Sequence, residues 1–232
     1  MTSTSDRPSS TAGWERWLPL GGPAYAVLLV IAAAAFPSPP GGDVTAAAHP
    51  DWLAHHTGAV IAQGLLRTLA AVAFAVLATG VATVCAQRTG PGALPRLALV
   101  GGVLTAGLMV AAQATSVASA LFVRDGGGAD ATRAIGALQA AFLDASSLPA
   151  ALMFLAVAMV SLPTGLLPRW LTLVTLLGVP IAIVDSASYQ GGPLEPVALV
   201  GLVYFLAWSL LAGVQLTRPH TGDRLPTSQH AA

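Results

Sequence analysis

Between residues 18 and 216 the chain repeats one pattern, an apolar run followed by a short stretch rich in Pro, Gly or Arg. A helix needs about 20 apolar residues to cross a bilayer. Six runs meet or approach that length, at residues 18–36, 54–86, 96–123, 131–160, 169–186 and 196–216. Inside lipid only helices and closed barrels satisfy their own backbone. The runs are Ala- and Leu-rich and lack the period-two alternation of barrel strands. The predicted fold is therefore all-α: a polytopic integral membrane protein of the plasma membrane, built as a six-transmembrane-helix bundle. Composition agrees, since 9% of residues are charged where a soluble domain carries about a quarter.

Orientation follows from the arginines. With the N-terminus inside, Arg7, Arg16, Arg88, Arg96, Arg169, Arg218 and Arg224 all fall on the cytoplasmic side. Only Arg124 and Arg133 fall outside, in a loop that also carries Asp125 and Asp130. The positive-inside rule then predicts N-in, C-in. Residues 1–17 and 217–232 are polar and read as disordered cytoplasmic tails around a transmembrane domain at 18–216. A competing reading makes the first run a signal peptide cut near Ala35 or Ala48, which leaves five spans.

Several functions are excluded. Every basic residue is arginine, so no lysine Schiff base can form. No basic tract suits nucleic acid. A single cysteine, Cys85, permits no internal disulfide and reads as a small packing residue. The bias toward Ala, Gly and Arg points to a GC-rich bacterial source.

The chemistry concentrates on a few polar groups in the apolar runs. Arg67 lies in the second run and Asp144 in the fourth. Counted from the outer boundary of the hydrocarbon, they sit roughly 13 and 15 Å deep at 1.5 Å per residue. Matched depth and opposite charge predict a buried Arg67–Asp144 pair, since either charge alone in hydrocarbon costs at least about 2.5–3.5 kcal/mol. His56 and Gln63 fall within about 40° of Arg67 on one helix face. Gln113 and Gln139 join the same outer half, and Asp185 stands near the outer end of the fifth run. Pro149 removes a helix hydrogen bond beside Asp144, where Ser146 and Ser147 are placed to satisfy the backbone.

Asp51 and His55 are four apart and would share a face of a helix starting at Pro50. With His49 and His56 close in sequence they are candidate ligands for zinc or manganese. No H-E-x-x-H or Cys/His framework accompanies them, so they read equally as interfacial histidines behind an acidic helix start. No cofactor is otherwise expected.

The segment Leu167-Pro168-Arg169-Trp170-Leu171, followed by Gly178 and Val184-Asp185-Ser186, has a further feature. With six spans and a long first outer loop, it resembles a bacterial family of six-span membrane proteins known only as a domain of unknown function. The resemblance implies the six-span fold and makes Arg169 and Asp185 landmarks at opposite ends of the fifth helix. It implies no activity.

The leading expectation is an outward-facing polar cavity that binds a small molecule, ion or lipid headgroup, with transport as a variant. Arg67 would meet an anionic group and Asp144 would balance its charge, while Gln63, Gln113 and Gln139 orient the ligand. His56 and Asp185 would complete the wall. Two alternatives compete with it. One is a membrane enzyme with Asp144 as general acid on a lipid-like or isoprenoid substrate. The other is an accessory protein in which the polar groups only hold the helices in register.

Overall fold

The structure is a computed structural model that describes residues 12–37, 50–187 and 195–218. A short helix α1 (Ala12–Glu15) and a 3-10 turn (Leu18–Leu20) lead into α2 (Gly21–Ala34). Five helices follow: α3 (Pro50–Thr89), α4 (Ala93–Arg124), α5 (Ala129–Thr164), α6 (Arg169–Asp185) and α7 (Glu195–Thr217). There is no strand among the described residues. The expected tails beyond Ala12 and Arg218, and His49, lie outside the described residues.

Among the described residues, five stretches are long and apolar enough to cross a membrane: Gly13–Ala34, Pro50–Thr89, Ala93–Arg124, Ala129–Thr164 and Ala198–Thr217. Helix α6 has 17 residues, about 25 Å at 1.5 Å per residue.

Glycine ends two of the helices at one end of the bundle. Gly90 follows α3 with φ 77°. Gly165 follows α5 with φ 64° and donates its N–H to the Ser161 carbonyl at 2.9 Å. Both are left-handed caps that cost a residue with a Cβ more than glycine. We call this the lower end. The α4–α5 turn, residues 125–128, marks the upper end.

Helices α3, α4, α5 and α7 are longer than predicted, whereas α2 and α6 are slightly shorter. Helix α3 has 40 residues, about 60 Å of helix, twice the ~30 Å hydrocarbon layer. Large apolar side chains face outward only over part of this length. On α3 these are Leu65, Leu69, Val72 and Val76; on α4, Leu97 to Leu104; on α5, Leu148 to Leu162. Leu138 and Phe122 are the exceptions higher up. Above this apolar belt α3 and α4 still pack on each other, around a small core of Leu53, Val60 and Ala120 with Trp52 and Val123 beside it.

The main core lies within the belt. Tyr25 of α2 packs at a tilt against Phe74 of α3 with ring centroids 5.4 Å apart, and Phe74 against Phe205 of α7 at 4.8 Å. Phe154 of α5 meets Trp208 of α7 at 4.7 Å. Trp208 Nε1 donates to Thr175 Oγ1 of α6 at 2.8 Å, which removes the cost of burying the indole N–H. Small residues let the backbones close on this core. A Cβ on Gly22 would strike the Ser209 carbonyl of α7, and one on Gly101 would come within 2.6 Å of the Pro149 carbonyl of α5.

Candidate functional site

Arg67 is the polar residue that the fold places most unusually. Val60 and Phe74 stand seven residues to either side of it on α3, and both are buried. Seven residues are nearly two helical turns, so Arg67 lies on the same inward stripe. It is nevertheless half-buried rather than buried. Among the described residues Arg67 makes no hydrogen bond and no ion pair. Five guanidinium N–H donors are left to other partners.

Two glutamines share its height. The Thr105 hydroxyl of α4 donates to the Ser146 carbonyl of α5 at 3.2 Å, which fixes the register of that antiparallel pair. Gln113 stands eight residues above Thr105 on α4, and Gln139 seven residues above Ser146 on α5. Both are thus about 11–12 Å above that contact. Across the α3–α4 seam, a Cβ on Gly64 would meet Val117 at 2.7 Å and the Gln113 carbonyl at 3.8 Å. Arg67, three residues below Gly64, is then within about one turn of Gln113 in height.

The glutamines are short of partners as well. Gln113 is 5% exposed and its Oε1 has none. Gln139 is 3% exposed and makes no hydrogen bond with the described residues. A buried polar group left unmet costs about 1–3 kcal/mol. Arg67 falls between Leu65 and Leu69, at the upper margin of the apolar belt rather than deep within it. Gln113 and Gln139 lie beyond the belt on their own helices, where it extends from Leu97 to Leu104 on α4 and from Leu148 to Leu162 on α5. A charge at the margin of a hydrocarbon layer costs less than one at its centre.

The predicted Arg67–Asp144 pair is not formed. The ion pairs among the described residues are Arg124–Asp125 at 2.9 Å and Arg133–Asp130 at 3.2 Å, both exposed near the upper turn. Register explains the difference. Asp144 is only two residues above Ser146, so it lies about 9 Å below the glutamine layer. Depths counted from a hydrocarbon boundary could not reveal this, because α3 and α5 continue by different lengths past the belt.

Asp144 belongs to a second polar group. It is within electrostatic reach of Asp185 on α6. The Ser147 hydroxyl donates to Asp185 Oδ2 at 2.6 Å. A Cβ on Gly201 of α7 would meet the same carboxylate at 2.8 Å. Ser147, expected to satisfy the backbone around Pro149, instead ties α5 to α6, while Ser146 donates to the Leu143 carbonyl at 2.6 Å. A usable signal for this link was present: Ser147 is three residues past Asp144, on the same side of the helix.

The remaining candidates are engaged locally. Gln63 Nε2 donates to the Ala32 carbonyl of α2 at 2.9 Å. His56 stacks on Trp52, with centroids 4.5 Å apart and planes 12° apart, and its Nδ1 donates to the Trp52 carbonyl at 2.8 Å. The backbone at His56 is non-helical, with φ −118° and ψ 18°. That kink breaks the phase by which His56 was aligned with Gln63 and Arg67. His55 Nδ1 donates to the Asp51 carbonyl at 2.7 Å. No group of three His, Cys, Asp or Glu side chains converges among the described residues.

No family model, no curated protein and no solved structure matches the chain.

Proposed function

We propose that the chain is a multi-pass binding protein of the plasma membrane. Its polar site at the upper end faces outward and takes a small molecule, an ion or a lipid headgroup. One observation carries this reading: Arg67 stands on the inward stripe of α3 with no ion pair and no hydrogen bond among the described residues. A charge kept there without a partner destabilises the apo bundle, and such a cost is typical of functional sites. The proposal includes six spans. Helix α6, though short, turns Leu173, Leu177 and Ile183 outward like its neighbours. It also keeps α2 in the mature protein, since Tyr25 is 2% exposed in the main core. The N-in, C-in orientation is supported by Arg88, Arg96 and Arg169 beside the lower turns.

Arg67→Leu tests the reading. A binding residue predicts unchanged or raised thermal stability, together with loss of whatever native mass spectrometry finds bound to the wild type. Marked destabilisation with no bound species in either protein would favour the register-pin reading instead.

A second reading, a membrane enzyme acting on a lipid-like or isoprenoid substrate, is favoured by one observation. Asp144 is within electrostatic reach of Asp185 and makes no ion pair with Arg67. The two carboxyls could then supply the general acid.

A further inference from the structure

We infer that the Arg67 layer takes an anionic group, a phosphate or a carboxylate, with a hydroxyl or N–H donor beside its charge. This rests on the binding reading above and specifies the ligand class.

The charge balance of the layer leads there. Among the described residues, the carboxylates of α5, α6 and the α4–α5 turn are engaged elsewhere or lie at another height. Asp125 pairs with Arg124 and Asp130 with Arg133. Asp144 lies about 9 Å below the layer by helix rise, within electrostatic reach of Asp185, and Asp185 accepts from Ser147. Among the described residues the layer therefore keeps one positive charge with no counterion. A neutral ligand would leave it uncompensated. The planar guanidinium fork matches a carboxylate or phosphate through two parallel N–H···O bonds.

The glutamines define the rest of the ligand. Gln113 Oε1 is a buried acceptor without a partner. A carboxylate or a fully ionised phosphate has only acceptors and would leave that atom unmet. A hydroxyl or N–H next to the anionic group satisfies it, and the unpartnered Gln139 amide, which both donates and accepts, completes the set. Access also fits. Arg67 lies at the margin of the apolar belt next to Leu65, which is 60% exposed. A phospholipid headgroup and a water-borne organic anion can each reach this height.

The test is thermal unfolding of the full-length protein in neutral detergent with three probes. These are glycerol 3-phosphate, dispersed phosphatidylglycerol and uncharged glycerol at matched concentration. The wild type should gain roughly 3 °C or more with at least one phosphate probe near saturation, and nothing with glycerol. Arg67→Gln should lose that gain, while Arg67→Lys should keep part of it. A response to phosphatidylglycerol alone assigns the site to lipid headgroups, and a response to glycerol 3-phosphate assigns it to soluble anions. Equal gains in wild type and Arg67→Gln would overturn the anion assignment. Stabilisation by glycerol that Gln113→Leu abolishes would also overturn it, yet leave a binding site in place. No gain with any probe would overturn both. If Arg67→Gln does not fold, Gln113→Leu with the phosphate probes decides in its place, and an undiminished gain there overturns the inference.

Discussion

Gln63 of α3 donates its amide to the Ala32 carbonyl of α2 across 2.9 Å. Helix α2 ends at Ala34, so Ala32 belongs to its last turn, where carbonyls have no partner within the helix. The glutamine is an inter-helix cap. Gln63→Ala should lower stability by about 1 kcal/mol and speed amide exchange at the end of α2. Unfolding in detergent followed by exchange mass spectrometry checks this. An unchanged exchange pattern over residues 32–37 would remove the capping role.

Arg67 and Asp144 should act independently. They are separated by register, and no ion pair joins them. In a double-mutant cycle with Arg67→Leu and Asp144→Leu, the effects should add to within about 0.5 kcal/mol. A buried salt bridge predicts otherwise, because removing one partner strands the other and removing both restores much of the loss. A coupling of several kcal/mol would mean that the two side chains meet in the membrane.

This pair also marks where sequence reasoning stops. The apolar runs announce the helices because bilayer thickness sets their length and lipid forces their backbone to be helical. Arg67, Gln113 and Gln139 stand out for the same reason, as polar residues in those runs. Their pairing is another matter. Depth was counted from where hydrophobicity begins, yet α3 starts at Pro50 and carries Leu53 and Val60 into a second core above the belt. The true register comes from contacts such as Thr105 with Ser146 and Gly64 with Val117. Those depend on which small residues let helices approach, and they leave no mark in the periodicity of one helix alone. The kink at His56 has no proline within it, and Gly58, two residues on, is its one local signal.

Ser147 and Asp185 should be coupled. The hydroxyl donates to the carboxylate at 2.6 Å between α5 and α6. Hydrogen bonds between membrane helices measure about 0.6 kcal/mol on average and reach about 1.7. A charged acceptor at a helix C-terminus, where the helix dipole disfavours it, places this one toward the upper part of that range. Ser147→Ala with Asp185→Leu should give a coupling of about 1 kcal/mol or more in detergent unfolding, while Ser147→Thr should retain it. Additive effects would show that the contact contributes nothing to holding α6 on α5.

The two ends of α4 should face opposite sides of the membrane. Gly92 precedes the helix at the lower end and Gly128 lies beyond it at the upper turn. Both have room for a side chain at ordinary negative φ, so each accepts a cysteine without strain. The native Cys85 is 0% exposed and should stay silent toward a reagent in the surrounding water. Arg88 and Arg96 flank the lower turn without acidic neighbours, whereas Arg124 and Arg133 at the upper turn are paired with Asp125 and Asp130. The positive-inside rule then puts Gly92 in the cytoplasm and Gly128 outside. In intact cells a membrane-impermeant maleimide should label Gly128→Cys readily and Gly92→Cys only after the membrane is opened. Labelling of Gly92→Cys alone would invert the bundle and turn the Arg67 layer toward the cytoplasm. Labelling of both from outside would mean that α4 does not cross.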